Sequence, residues 1–252
     1  MIRFDHVTKS LSGRPVLDDV TFEVEEGESF VVVGPSGAGK SVTLKHMLRL
    51  LRPDQGEVSV DGEVINDLSG PGLERLRSRF GMLFQSSALL EWLTVAENVA
   101  LPLREKTHMR EEEIRARVSE KLGMVGLGND AEKHPSELSG GMRKRAGLAR
   151  ALVENPAIIL YDEPTSGLDP VTSRTIDELI DRTRRELNVT TVVVTHDLHS
   201  ALGIGTRIVM LDEGRIEEIA TPAAFIKSNN EKVRAFLAAQ YISRAGPWED
   251  AR

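Results

Sequence analysis

Along the chain, hydrophobic positions fall into short runs and alternations separated by breaks rich in glycine, proline and aspartate. Residues 16–25 alternate apolar and polar side chains and stop at Glu26-Gly27, the period-2 signature of a half-buried strand. Residues 29–33 form a short apolar run, as in a strand covered on both faces. Residues 41–51 show helical spacing and end before Pro53. Residues 57–60 read as a strand closed by the turn Asp61-Gly62. From about residue 86 to 155 the β-branched runs thin out and two helical stretches stand out, 111–122 and 141–154. This segment reads as a helical insertion. Residues 157–161 and 190–194 resume the buried-strand pattern, with a helix over 171–187 between them. Residues 207–211 and 215–220 flank Asp212-Glu213-Gly214 as a hairpin. From Pro222 the chain reads as helical to about Tyr241, with Phe225, Val233, Phe236, Leu237 and Tyr241 forming an apolar stripe expected to pack on its own domain, contact with a second copy or a small partner subunit being the alternative; 243–252 read as loose.

Strands alternating with helices predict an α/β fold. At 252 residues the chain suits one large domain, or one domain with an insertion. Hydrophobic residues are 40% and charged residues 28%, a globular rather than a disordered profile. The balance of 32 basic against 39 acidic residues, net −7, argues against chain-wide binding to nucleic acid or an anionic membrane. With no cysteine, disulfides, thiolate metal sites and cysteine nucleophiles are excluded. No apolar run approaches the ~20 residues of a membrane-spanning helix, and residues 1–6 lack the pattern of a signal peptide. The expected location is cytoplasmic, with any role at a membrane coming through a partner.

Four segments carry chemistry. Gly34-Pro35-Ser36-Gly37-Ala38-Gly39-Lys40-Ser41 matches the phosphate loop G-x-x-x-x-G-K-[ST], with a buried strand leading in and a helix leading out. Its glycines let backbone N–H groups turn toward phosphate oxygens. Lys40 would reach the β- and γ-phosphates and the Ser41 hydroxyl would ligate Mg²⁺. Residues 157–161 lead into Asp162-Glu163, the first a candidate Mg²⁺ ligand and the second a candidate base for the attacking water. Thr195-His196-Asp197 follows the next apolar strand, and the carboxyl ends of parallel strands are where ligands sit. Leu138-Ser139-Gly140-Gly141-Met142 opens a helix, another anion-binding arrangement. Arg143, Lys144 and Arg145 crowd its first turn, where cations oppose the helix dipole; they read as a solvated basic face.

Taken in order, the phosphate loop, Gln85, the Leu138–Met142 signature, Asp162-Glu163, Ser166-Gly167-Leu168-Asp169 and His196 resemble the nucleotide-binding subunits of ATP-binding cassette (ABC) transporters. The resemblance covers about residues 1–225, leaving 226–252 as a C-terminal helical extension and tail. It implies a P-loop ATPase fold with a mixed, mostly parallel core sheet, an N-terminal antiparallel β region and the helical insertion. It also implies two copies packed head to tail around MgATP. Ser139, Gly140 and Gly141 of one copy would contact the γ-phosphate held by the other, Gln85 would touch Mg²⁺ and water, and Asp169 would lie across the dimer seam. Glu163, His196 and Lys40 would be the catalytic residues, and a separate membrane permease the partner on the inner face of the cell membrane.

Three positions depart from the family's usual pattern. Met142 stands for glutamine, Val42 for the threonine after Ser41, and Leu11 for an aromatic residue that stacks on adenine. Met142, with residues 84–105, is similar to one branch that serves phospholipid transport with mammalian-cell-entry substrate proteins. That branch adds a mammalian-cell-entry protein and a small regulatory subunit as partners. Two alternatives stay open: a polar-solute importer, and a soluble cassette of translation or DNA repair.

Overall fold

The computed structural model describes residues 1–242, so the reading of 243–252 lies outside the described residues. In chain order the strands and helices are β1 (Ile2–Leu11), β2 (Arg14–Val24), β3 (Ser29–Val33), α1 (Lys40–Met47), β4 (Gln55–Val60), β5 (Glu63–Val64), α2 (Gly70–Arg77), β6 (Phe80–Leu83), α3 (Val95–Lys106), α4 (Glu111–Met124), α5 (Gly140–Leu152), β7 (Ile158–Asp162), α6 (Pro170–Leu187), β8 (Thr190–Val194), α7 (Leu198–Ile204), β9 (Arg207–Asp212), β10 (Arg215–Ala220), α8 (Pro222–Ile226) and α9 (Glu231–Ala239). They fall into two compact units, one made of Met1–Leu68 and the chain from Val193 on, the other of Ser69–Val192.

In the first unit, β2, β1, β4 and β5 lie side by side in an antiparallel sheet. Its inward face carries Phe4, whose ring stacks on Phe22 at 4.5 Å; Phe22 in turn stacks on Phe30 of β3 at 5.1 Å. The Arg207 guanidinium lies 5.3 Å from the centre of the Phe30 ring and is anchored by Glu28 at 2.5 and 2.9 Å. The buried β3 pairs in parallel with β9, which turns back through 212–215 into antiparallel β10. The Thr195 N–H donates to the Val32 carbonyl at 3.1 Å, which fixes the chain leaving β8 beside the end of β3.

In the second unit, β6 and β7 pair in parallel, Phe80 opposite Ile158 through Leu83 opposite Tyr161. The Thr190 N–H donates to the Ala157 carbonyl at 3.1 Å, which starts β8 from the N-terminal end of β7. The helical insertion is α3, α4 and α5. Thr94 and Glu97 close a reciprocal capping box on α3: Glu97 N–H donates to Thr94 Oγ1 at 3.2 Å and Thr94 N–H to Glu97 Oε2 at 2.8 Å. Asp169 caps α6, accepting from the N–H groups of Val171 and Thr172 at 3.0 Å each.

Several elements differ from the sequence expectation, each for a physical reason. β1 is broken by irregular register between Phe4 and Val7, with His6 at φ 50, so its alternation is out of phase and the strand does not show in the sequence. Pro102 sits inside α3 and hides that helix. The single C-terminal helix is two, because Asn230 starts α9 afresh by accepting from the N–H groups of Lys232 and Val233. Phe225, Val233 and Leu237 are buried as expected, but Tyr241 leaves the stripe: it lies past the end of α9 at φ 58 and is 97% exposed.

Candidate functional site

The phosphate loop is built on the first unit. Strand β3 delivers Gly34, and α1 begins at Lys40. Between them the chain turns through left-handed or related conformations at Gly34 (φ 144), Gly37 (φ 85) and Gly39 (φ 101). Successive turns of this kind aim N–H groups into one concavity, an anion nest, and the α1 N-terminus adds its dipole. Gly39 shows why glycine is required: a Cβ there would stand 2.6 Å from the Val16 carbonyl oxygen, on top of an unfavourable φ. Pro35, Ser36 and Gly37 are exposed, Ala38, Gly39 and Lys40 buried, Ser41 and Val42 half-buried. The Lys40 ammonium bends back over the loop, donating to the Gly34 and Pro35 carbonyls at 2.8 and 3.0 Å. A buried cation poised inside a glycine nest fits a polyphosphate.

Elsewhere in the first unit, the exposed His196 follows β8. Its carbonyl accepts from Gln240 Nε2 at 2.7 Å, while Gln240 Oε1 accepts from the Leu198 N–H at 2.8 Å. Leu11 ends β1 opposite Arg14 and is partly exposed.

The second unit carries the carboxylates, Gln85 and the signature. Asp162 closes β7 and is half-buried, as is Glu163. Glu163 sits at φ 50, a left-handed conformation that costs a non-glycine residue about 1–3 kcal/mol and clusters at functional sites. Gln85 is exposed, its Nε2 donating to Ser166 Oγ at 3.4 Å. Ser139 is the N-cap of α5, its Oγ accepting from the Met142 N–H at 3.3 Å. Gly140 and Gly141 pass so close to the 166–172 segment that Cβ atoms would stand 3.0 Å from Leu168 Cδ2 and 2.6 Å from Thr172 Cγ2. Asp169 accepts from Thr172 Oγ1 at 2.5 Å as well as capping α6. The Thr172 hydroxyl, then the N–H groups, hold its carboxyl below the usual carboxylate range.

The Arg143–Arg145 cluster is not the solvated face that the charge pattern suggests. Arg143 donates to the Leu138 carbonyl at 2.6 Å, and Arg145 to those of Val125 and Gly126 at 3.0 Å each. Lys144 is buried and donates to the Gln85 carbonyl at 2.6 Å and the Glu163 carbonyl at 3.0 Å. One turn on, Gly147 lies against the end of β6 and the loop after it, where a Cβ would meet Leu83 Cδ1 at 2.7 Å and Ser87 Cβ at 3.2 Å. Further along, Arg150 donates to the Ser87 and Ala88 carbonyls at 2.7 Å each. Burial pushes both the Lys144 ammonium and the Arg150 guanidinium below their ordinary values. The spacing 144, 147, 150 places these three residues on one face of α5.

Asn98 is a further residue that motif reading passes over. Fully buried on α3, it accepts from the Leu90 N–H at 2.7 Å and donates to the carbonyls of Leu90, Leu93 and Thr94 at 3.0, 3.2 and 3.0 Å. It braces the loop that holds Trp92 74% exposed.

No group of three or more histidine or acidic side chains able to hold a metal occurs among the described residues. No described helix is long and apolar enough to cross a membrane.

A glycine nest on one strand–helix turn, an acidic pair at the end of another strand and a serine–glycine helix start are the features of a P-loop ATPase of the cassette type. Residues 17–166 match the family described as ABC transporter. The chain belongs to that family, and its ATPase activity is coupled to transport. The probable ribonucleotide transport ATP-binding protein Mkl of Mycobacterium tuberculosis is 43% identical over 249 residues, 99% of this chain and 69% of Mkl. The methionine import ATP-binding protein MetN of Caulobacter vibrioides is 42% identical over 240 residues, 94% of this chain and 72% of MetN. Among solved structures, a dimeric ATP-binding cassette in a post-hydrolysis state with ADP and Pi matches with a TM-score of 0.80 at 39% identity, over 88% of this chain and 99% of that one. CbiO1 from Clostridium perfringens, part of the transporter complex CbiONQ, matches with a TM-score of 0.82 at 27% identity, over 95% of this chain and 98% of that one.

Proposed function

We propose that two copies of this chain close around MgATP and drive a separate membrane permease in phospholipid transport across the cell envelope. In this reading the 34–42 loop and Lys40 hold the phosphates, and Ser139, Gly140 and Gly141 of the second copy complete the contact with the γ-phosphate. Glu163 accepts a proton from the attacking water, and His196 supports the charge that develops on the γ-phosphate. Mg²⁺, with Ser41, Gln85 and Asp162 as its protein-side ligands, supplies charge neutralisation of the phosphates. Asp169 faces the dimer seam. The dimeric form of the matched cassette supports the two-copy reading.

The lipid assignment rests on Met142 and the 84–105 segment; the separate reading of a protein partner has one structural observation behind it. The Asn98 network spends a buried amide on holding residues 90–94 in place, and the loop so fixed presents a large exposed indole. A rigid loop with a protruding aromatic suits docking onto another protein. The test is expression with the adjacent reading frames, purification of the complex and measurement of ATP-dependent phospholipid movement between labelled vesicles. Phospholipid movement supports the proposal. A complex that instead moves an amino acid favours the second reading, a polar-solute importer, which the 42% identity to MetN supports.

A further inference from the structure

Lys144 has no role in the functional reading above, yet its surroundings are those of a working part. Taking a lysine out of water is costly unless its N–H groups are satisfied. Here the burial is nearly complete, 5% exposed, and the two acceptors are main-chain carbonyls of two residues given catalytic or ligand roles, Gln85 and Glu163. Glu163 holds an unfavourable φ of 50, a state that persists only where the surroundings over-determine it. A hydrogen bond on its own carbonyl pins the peptide plane that follows this strained residue. The charges of Glu163 and Asp162 favour the ammonium against the burial that disfavours it.

The support behind Lys144 is rigid. On one face of α5, Gly147 abuts Leu83 and Ser87 and Arg150 holds the Ser87 and Ala88 carbonyls, so the helix is keyed to the loop carrying Gln85 at three successive turns. The same helix begins at the Ser139–Gly141 signature.

We propose that Lys144 is a positioning residue for ATP hydrolysis: from a fixed place on α5 it sets the main chain of Glu163 and of Gln85 together, so that base and Gln85 side chain are presented in register. The proposal rests on the reading of Glu163 as the base, and its test separates the two. It also gives the signature helix a direct hold on both groups, so a displacement of α5 is transmitted to Glu163 and Gln85 at once.

The experiment measures steady-state ATPase activity of the full chain for wild type, Lys144→Met, Lys144→Gln and Glu163→Gln, with nucleotide affinity and Tm for each. Methionine and glutamine match in length and differ in having an N–H donor. A loss of alignment near 1 Å costs on the order of 10²-fold in rate. Lys144→Met is therefore expected to lower kcat by about 10–100-fold with KM for ATP within about twofold, and Lys144→Gln to recover about tenfold of that loss. A folded Lys144→Met with wild-type kcat overturns the proposal. So do Met and Gln variants that lose activity equally and in step with Tm, since that marks a purely structural role. If Lys144→Met does not fold, Lys144→Ala against Lys144→Gln makes the same comparison: recovery in Gln alone supports the proposal, and equal loss in step with Tm overturns it. Full activity in Glu163→Gln would sink the base assignment beneath the proposal. An inactive Glu163→Gln beside a fully active Lys144→Met sinks the proposal alone.

Discussion

The side-chain amide of Gln240 brackets the backbone around Asp197, donating to the His196 carbonyl at 2.7 Å and accepting from the Leu198 N–H at 2.8 Å. Gln240 caps the C-terminal end of α9, and its own carbonyl lies 3.3 Å from His199 Nε2. The last helix of the described chain is thus bonded to the turn that presents His196, a link that neither the apolar stripe nor the family motifs reveal.

Removing that bracket should loosen His196 without unfolding the sheet behind it. Each such hydrogen bond is worth about 1 kcal/mol, and that much lost from the transition state slows turnover about fivefold. Gln240→Ala is expected to lower kcat by about that factor with ATP affinity unchanged. Gln240→Glu should be worse, because it turns a donor into a carboxylate facing the His196 carbonyl. Wild-type turnover in Gln240→Glu, measured by phosphate release, would show that the bracket has no bearing on catalysis.

For Glu163 the expectation is a separation of binding from chemistry. The carboxylate proposed to accept a proton is exchanged for an amide that cannot, while the loop proposed to hold the phosphates is untouched. Glu163→Gln should keep nucleotide affinity within about twofold and lose about 10²–10⁴-fold in turnover, the usual range for a general base. Titration with a fluorescent ATP analogue alongside a phosphate-release assay reads both, and a variant that turns over normally ends the assignment.

The buried strands and the phosphate loop were legible in the sequence because each is local. An apolar run such as 29–33 needs no partner to be recognised, and the glycine spacing of 34–39 reflects the φ values the loop adopts. What stayed hidden depended on partners far along the chain. Lys144 is 59 positions from Gln85, and Gln240 is 44 from His196. A lysine beside two arginines looks solvated until the fold buries it against two carbonyls. β1 was hidden for a different reason: its irregular register breaks the alternation by which strands are read.

Lys40 tests the nest itself. Its ammonium bonds the Gly34 and Pro35 carbonyls, which holds it within the loop. Charge-assisted hydrogen bonds contribute about 1.5–3 kcal/mol, so Lys40→Ala should weaken ATP binding by about 10–150-fold. Isothermal titration with ATP measures this directly, and unchanged affinity would count against the phosphate-loop assignment.

Asn98 separates the role of the 90–94 loop from that of the ATPase machinery. Asn98→Leu keeps the number and branching of the side chain's heavy atoms but leaves the Leu90 N–H and three carbonyls without the amide partner they now share. Unsatisfied buried groups cost about 1–3 kcal/mol each, and some of these regain water once the loop relaxes. A net loss of about 2–4 kcal/mol follows, with a fall in Tm of about 5–15 °C for a chain of this size. The functional consequence should be unequal. ATP binding, proposed to use the 34–42 loop, should hold, whereas retention of the permease on an affinity-tagged chain should drop, because Trp92 is no longer presented from a fixed loop. Trp92→Ala, a change at an exposed site with little bearing on Tm, should reproduce the loss of permease retention alone. If both variants retain the permease as wild type does, the loop is not the docking element and the argument from Trp92 to a membrane partner fails.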